Sequence, residues 1–418
     1  MHSAPCSLYI HIPFCRSKCS YCDFFSVPEK GALPESYISA LCNNIAYRCR
    51  EFSVSMFDTV YIGGGTPSLL SHAQLNRILS AVREEAPLSP DAEITMEANP
   101  ADITHELLAF LKTAGINRLS AGIQSVDEKV LAALGRRSDA ERVEQALKLL
   151  ETEWLSDAGP LSKADGPARR RRLSLDLMSG LPGLSDDAFR RGVERVIATG
   201  ADHISLYSLM IEEGTRLERQ INEGTVDYSE ETNDRQWIMG RDMLTEAGYA
   251  QYEVSNFARP GFESRHNSVY WHMQNYIGTG AGGTGTVGSY RWTEAADIAA
   301  YTAWWNSSNA LKALDSLPAD KACNADKTCE LPAEVELLDE ATREFEFLMM
   351  GFRLLEGVST REYEKRFGKS LAERLGALFA DWQHRGLART YSTKDGDTRY
   401  ALTADGILLL NQFLEALL

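Results

Sequence analysis

Cys15, Cys19 and Cys22 stand in the stretch FCRSKCSYCDFF, residues 14–25, with C-x3-C-x2-C spacing and no fourth cysteine close behind. Thiolates are soft ligands, and three of them in one short loop can grip a metal centre. The residues between them, Arg16, Ser17, Lys18 and Ser20 among them, are polar, which argues against a cluster of buried core thiols. Structural zinc takes four protein ligands; His11 could be recruited as the fourth, but the spacing is not a usual zinc pattern. An iron–sulfur cluster fits better. A compact loop can wrap three corners of a [4Fe–4S] cube and leave the fourth iron without a protein thiolate. An open position on a metal centre is where a small molecule binds and reacts.

Such a loop needs a scaffold, and the sequence around it has a regular rhythm. Short β-prone runs recur at residues 7–12, 59–64, 93–98, 118–123, 172–177 and 203–208. Between most of them lie segments with helical periodicity, at 35–49, 73–85, 128–150 and 186–199. Strands alternating with helices predict parallel β/α units, hence an α/β fold in which six units close most of a barrel. Functional residues in such folds sit beyond the C-terminal ends of the strands. Residues 63–66, Glu97, Gln124, Asp176 and Ser208 fall at those ends.

The rhythm predicts three parts: a core at 1–240, a connecting segment at 241–335 that completes the side of the barrel, and a C-terminal module at 336–418. The middle part holds a strand and turn in QYEVSNFARPG, then RHNSVYWHMQNYIGTGAGGTG, dense in aromatic residues, His and Gly. The last part reads as helices plus a hairpin, the outline of a winged-helix-like α+β module. Two insertions, 155–172 with its four consecutive arginines and 314–335 with Cys323 and Cys329, read as solvated loops. The C-x5-C spacing of that pair is poor for zinc. Cys6, Cys42 and Cys49 read as small hydrophobic residues.

Bulk properties narrow the partners. The 418 residues carry 43 basic and 59 acidic side chains, a formal charge of −16, which opposes non-specific binding to nucleic acid or anionic lipid. The 44% hydrophobic and 24% charged composition is that of an ordinary folded protein. No stretch approaches twenty uncharged apolar residues and no secretory leader is visible, so a cytoplasmic, non-transmembrane protein is expected.

The cysteine spacing, with Tyr21 before the last thiol and a β-prone run ahead of the first, resembles the radical SAM superfamily. That resemblance implies a partial (β/α)6 TIM-like barrel, a [4Fe–4S] cluster on Cys15, Cys19 and Cys22, and S-adenosylmethionine (SAM) bound to the open iron and cleaved to a 5′-deoxyadenosyl radical. YIGGGTPS, residues 61–68, is similar to the superfamily's glycine-rich motif and brings in Gly64, Gly65 and Thr66 as contacts to SAM. Glu97 in MEANP, Gln124 in GIQS, Arg136 in LGRR and Asp176 in LDLMSGLPG match positions lining the SAM pocket; Tyr9, Tyr21 and Ser208 match with less weight. The carboxylates can accept from ribose hydroxyls or the ammonium, and Arg136 can pair with the methionine carboxylate.

Together with RHNSVYW further on, these motifs resemble the family that contains oxygen-independent coproporphyrinogen III dehydrogenase (HemN) and the heme chaperone HemW. The dehydrogenase branch extends its motif to C-x3-C-x2-C-x-C, whereas Phe24 stands at that position here, and it carries about fifty residues ahead of the cluster against fourteen here. Both departures, and H-N-x-x-Y-W at residues 266–271, point to the chaperone branch. The expectation is a protein that binds heme as cargo and passes it to recipient hemoproteins, respiratory ones among them. A flavodoxin or ferredoxin as reductant and a homodimer complete the expected partners; nucleic acid is not one. The alternative is the dehydrogenase itself, decarboxylating porphyrinogen propionates. For heme, His266 is the best imidazole candidate, His272 the second, with Tyr270, Trp271 and Tyr276 as walls. One departure is Thr284, near which relatives often carry a histidine.

Overall fold

All six β-prone runs become strands: β1 (Cys6–Ile12), β2 (Phe57–Gly64), β3 (Leu88–Ala98), β4 (Arg118–Gln124), β5 (Arg172–Ser179) and β6 (His203–Ser208). The structure is a computed structural model that describes residues 6–156, 171–316 and 333–417. The six strands lie side by side in sequence order, every neighbour parallel. Helices α1 (Glu35–Glu51), α2 (His72–Glu85), α3 (His105–Ala114), α4 (Glu128–Ala133), α5 (Ala140–Leu149) and α6 (Asp186–Ala198) supply the crossovers. Most begin behind a polar cap: Ser71, Thr104, Asp127, Asp139 and Ser185 each accept a hydrogen bond from a first-turn N–H. The periodic segment 128–150 is two helices, because Gly135 adopts a left-handed φ of 69° and ends the first one. Arg136 therefore sits in a loop.

The strands alternate in character. Leu8, Ile10, Val60, Ile62, Ile94, Met96, Leu119, Ala121, Leu173, Leu175, Ile204 and Leu206 are buried on one face and form the core with the helices. Each Leu, Ile, Val or Met among them contributes about 1.5–3 kcal/mol by leaving water. The other face carries Tyr9, Tyr61, Thr95, Glu97, Arg118, Ser120, Asp176, His203, Ser205 and Tyr207. Parallel strands are usually apolar on both faces. A polar inner face marks where a polar ligand can lie.

The segment after α7 (Arg216–Asn222) and α8 (Glu230–Glu246) extends this sheet at both edges. Strand β7 (Asn256–Ala258) runs antiparallel to β6, while β8 (Tyr276–Thr279) pairs parallel with β1 at the far edge. Beyond β8 follow β9 (Thr284–Val287), β10 (Tyr290–Glu294) and β11 (Ala333–Leu337), all antiparallel. With the two-residue strand Ala250–Gln251 paired antiparallel on β7 the sheet reaches twelve strands, and it shows no pairing that closes it into a barrel among the described residues. Between β7 and β8 lies α9 (Arg265–Trp271), which holds the H-N-x-x-Y-W residues.

The C-terminal module has its own core, including Phe347, Leu348, Phe352, Phe379, Trp382 and Phe413. Helices Glu340–Gly351, Thr360–Phe367 and Leu371–His384 precede a hairpin of Ala388–Ser392 and Thr398–Leu402, the winged arrangement expected from the sequence. It is fastened to the sheet by the Leu355 N–H on the Tyr252 carbonyl (3.0 Å), by Arg366 on the carbonyls of His272 and Met273, and by Arg291 on Glu346. Of the thiols outside the triad, Cys6 and Cys49 lie in the main core and Cys42 is half-buried, whereas Cys323, Cys329 and residues 157–170 lie outside the described residues.

Candidate cofactor site

The cysteine loop leaves the C-terminal end of β1 and crosses the mouth of the sheet. Its backbone is pinned at several points: the Ser20 N–H bonds the Leu134 carbonyl (3.0 Å), the Leu217 N–H bonds the Ser20 carbonyl (2.8 Å), and the Glu29 N–H bonds the Cys15 carbonyl (2.7 Å). All three thiols are half-buried. Two receive donors from other elements. Thr66 Oγ1 donates to Cys15 Sγ (3.4 Å), and Arg136 Nη1 faces Cys19 Sγ at 3.8 Å. Burial pushes the Cys22 thiol up, so bound metal would have to displace its proton.

The fourth zinc ligand considered for this loop is already committed. His11 is buried, with Nδ1 bonded to the Tyr9 hydroxyl (2.9 Å) and Nε2 to the Phe25 carbonyl (2.9 Å). Among the described residues no three His, Cys, Asp or Glu side chains converge on a single ion. Three half-buried thiols with a guanidinium alongside fit a cluster that spreads its ligands over separate irons and carries negative charge.

Gly64 and Gly65 are required by packing. A Cβ on Gly65 would lie 2.7 Å from the Phe14 carbonyl oxygen and 2.9 Å from that of Ile12, and Gly64 has φ 110° with the His11 ring against it. The glycine-rich turn is thus pressed onto the cysteine loop. It also reaches inward, since the Gly64 N–H donates to Glu97 Oε2 (3.1 Å).

Glu97 and Asp176 face each other across the inner surface. Tyr61 donates to Glu97 Oε1 at 2.7 Å, and Ser120 and Ser205 donate to Asp176. Burial pushes Glu97 up to about 7, with the Tyr61 hydrogen bond opposing and the nearby Asp176 adding. Burial likewise raises Asp176 to about 6, against the pull of its serine partners, Arg118 and Arg136. Both carboxyls therefore titrate close to neutral pH, and a cation beside them would favour their ionised forms.

Several polar atoms here are buried without a partner: Gln124 Oε1, Arg136 Nε and Ser20 Oγ. Gln124 is held at φ 66°, a left-handed conformation rare outside glycine, at an irregularity in the β4–β5 register. Unsatisfied acceptors and donors in a cleft are what a polar ligand completes. Tyr21 lies beside Arg136 and the thiols of Cys19 and Cys22. Tyr9, Glu97, Gln124, Arg136, Asp176 and the glycines thus come together with the cysteines.

Ser208 is the exception. Its register partner is Ser179, on the apolar phase of the pleat, while Ser205 and Tyr207 share the inner phase with Asp176. Tyr61, Arg118, Ser205 and Tyr207 escaped the reading by motif. Their signal was the alternation itself, as in HISLYS and RLSLDL.

The H-N-x-x-Y-W helix occupies the opposite end of the strands. His266 is buried, its Nδ1 on Thr59 Oγ1 (2.7 Å), its Nε2 on the Tyr270 hydroxyl (2.8 Å) and its N–H on Glu93 (3.0 Å). Burial and nearby Arg118 push the ring down to about 3. Both ring nitrogens are thus engaged, the geometry of an anchor, and axial ligation of heme by His266 would first break one of these bonds. His272 pairs with Glu356 (2.8 Å), Trp271 lies under Arg353, and Tyr270 meets Tyr276 edge to face at 4.7 Å. Thr284 bonds Thr293 across the hairpin (2.9 Å).

These features define a radical SAM protein, and known proteins agree. The radical SAM superfamily profile matches residues 9–154, and that of the HemN C-terminal domain matches residues 338–409. Heme chaperone HemW of Escherichia coli is 33% identical over 99% of this chain and 98% of its own; HemW of Lactococcus lactis is 31% identical over 90% and 89%. The chain belongs to the HemW family. A solved structure of coproporphyrinogen III oxidase (HemN) from Escherichia coli, a radical SAM enzyme, superposes with a TM-score of 0.74 at 20% identity, covering 99% of this chain and 90% of that one. That likeness speaks for the fold. No described helix is long and apolar enough to cross a membrane.

Proposed function

We propose that this chain is a heme chaperone that carries a [4Fe–4S] cluster on Cys15, Cys19 and Cys22, binds SAM across the inner face of the sheet, and hands heme to hemoproteins. The observation that carries this reading is the likeness to a heme chaperone along 99% of the chain. Phe24, 71% exposed, where the dehydrogenase branch has a cysteine, favours the same side.

When bound, the cluster would supply an open iron for the amino-acid end of SAM. Arg136 would meet the carboxylate of that end, with its partnerless Nε available. Glu97 and Asp176, which titrate close to neutral pH, would be held ionised beside the cationic ligand and accept from its ammonium or ribose hydroxyls. Gln124 Oε1 would gain the donor it lacks.

Recipients among respiratory proteins, a flavodoxin or ferredoxin reductant, a cytoplasmic location and division at residues 240 and 335 belong to the same proposal. The test is an absorption titration of the anaerobically reconstituted chain with hemin, alongside incubation with coproporphyrinogen III, SAM and a reductant. A saturable Soret shift and no protoporphyrinogen IX are expected. No hemin binding, or porphyrinogen oxidation, overturns the reading.

A further inference from the structure

Below the H-N-x-x-Y-W helix lies a cavity of about 80 Å³, enclosed by the 273–276 turn, the β9–β10 hairpin and helices Glu340–Gly351 and Thr360–Phe367. At about 10–15 Å³ per water it holds about five to eight water-sized groups. A carboxylate with a short stem fits; a porphyrin ring does not. Its walls combine the apolar surfaces of Tyr276, Met350 and Phe367 with the guanidinium-bearing side chains of Arg291, Arg343 and Arg366, and no acidic side chain lines it.

Two of the three arginines are neutralised. Arg291 makes a two-pronged pair with Glu346 (2.9 and 2.6 Å), and Arg366 pairs with Glu362. Arg343 has neither a side-chain hydrogen bond nor an ion pair among the described residues. Half-buried Arg343 therefore offers the cavity a cation with no acidic partner, which suits a single monoanion. The site also touches the motif helix. Tyr270 lines it and donates to or accepts from His266, which stacks on Tyr61 (5.0 Å, 27°), the donor to Glu97.

We infer that this cavity receives a single carboxylate of an apolar acid, with Arg343 as its counter-ion. The inference rests on the proposed function, in which the acid is heme, one propionate enters the cavity, and the macrocycle stays outside. Arg343 then fixes which edge of the heme faces the junction of sheet and C-terminal module.

The test titrates the full chain and its Arg343→Gln and Arg343→Lys variants with hemin and with hemin dimethyl ester, which has no free carboxylate. Arg343→Gln breaks no bond in the protein, so its thermal midpoint should match that of the parent. The expected result is about a tenfold loss of hemin affinity in Arg343→Gln, most of it restored in Arg343→Lys, with ester binding equal in all three. Unchanged hemin affinity, or equal losses for hemin and ester, overturns the inference and leaves heme binding standing. A heme-free arm separates the two readings by comparing 2-naphthoate with its methyl ester. Arg343-dependent naphthoate binding without any hemin binding keeps the cavity's role and removes the heme reading. Binding of neither removes both.

Discussion

Glu97→Gln should flatten the pH dependence of stability of the cluster-free protein. The carboxyl is pushed from an ordinary value of 4.5 to about 7, chiefly because the inner face strips it of water. At about 1.4 kcal/mol for each tenfold in proton affinity, that rise is worth about 3 kcal/mol. The sign follows from linkage. Below pH 4.5 the group is protonated both folded and unfolded and costs nothing. Between 4.5 and 7 the unfolded chain releases the proton while the folded chain keeps it, so stability falls as pH rises and the loss is complete above 7.

Glutamine keeps an oxygen for the Tyr61 hydroxyl but sets an amide NH2 against the Gly64 N–H, a penalty that does not vary with pH. The slope, not the absolute stability, therefore isolates the effect. Asp176 titrates in both proteins and cancels to first order. Urea unfolding at pH 5 and 7.5 should show the parent losing about 2–3 kcal/mol more than Glu97→Gln, the carboxylate's residual contact with water making 3 kcal/mol an upper bound. Equal slopes would mean that Glu97 is ionised in the free protein, and the account of why the pocket awaits a cation would fall.

Three further outcomes are expected. Alanine at Cys15, Cys19 or Cys22 should abolish the brown chromophore of anaerobically reconstituted protein, read by absorption and electron paramagnetic resonance, while Cys42→Ala keeps it. Gly65→Ala should lower cluster occupancy, measured as iron and sulfide per chain, because the added methyl meets the Phe14 and Ile12 carbonyls at 2.7 and 2.9 Å and backbone cannot yield cheaply. His266→Ala should cost about 2–4 kcal/mol in denaturant unfolding, since it vacates a buried ring site and leaves the Thr59 and Tyr270 hydroxyls short of partners; a loss below about 0.5 kcal/mol would refute its anchoring role.

Much of this protein was determined by the sequence alone, wherever the controlling interactions are local. Three thiols within eight residues must share a loop, since chain connectivity holds them together whatever else folds. The strands and helices follow from side-chain periods of two and 3.6 residues and from polar caps such as Ser71 and Ser185, all within a few positions. Even the polar inner face was written in runs such as RLSLDL, where every second residue is polar.

The tertiary structure alone decided what depends on distant segments. Arg136 reaches Cys19 from 117 positions away, because Gly135 ends a helix that periodicity carried through. The pleat, whose phase is fixed by packing of the apolar face, turns Tyr207 rather than Ser208 toward Asp176. His266 looked like an available ligand in a loop, yet helix α9 plugs it between Thr59 and Glu93, where burial removes its charge and its bonds occupy both nitrogens. A residue's type states which bonds it can make; which of them remain unmade is settled only when the chain has packed around it.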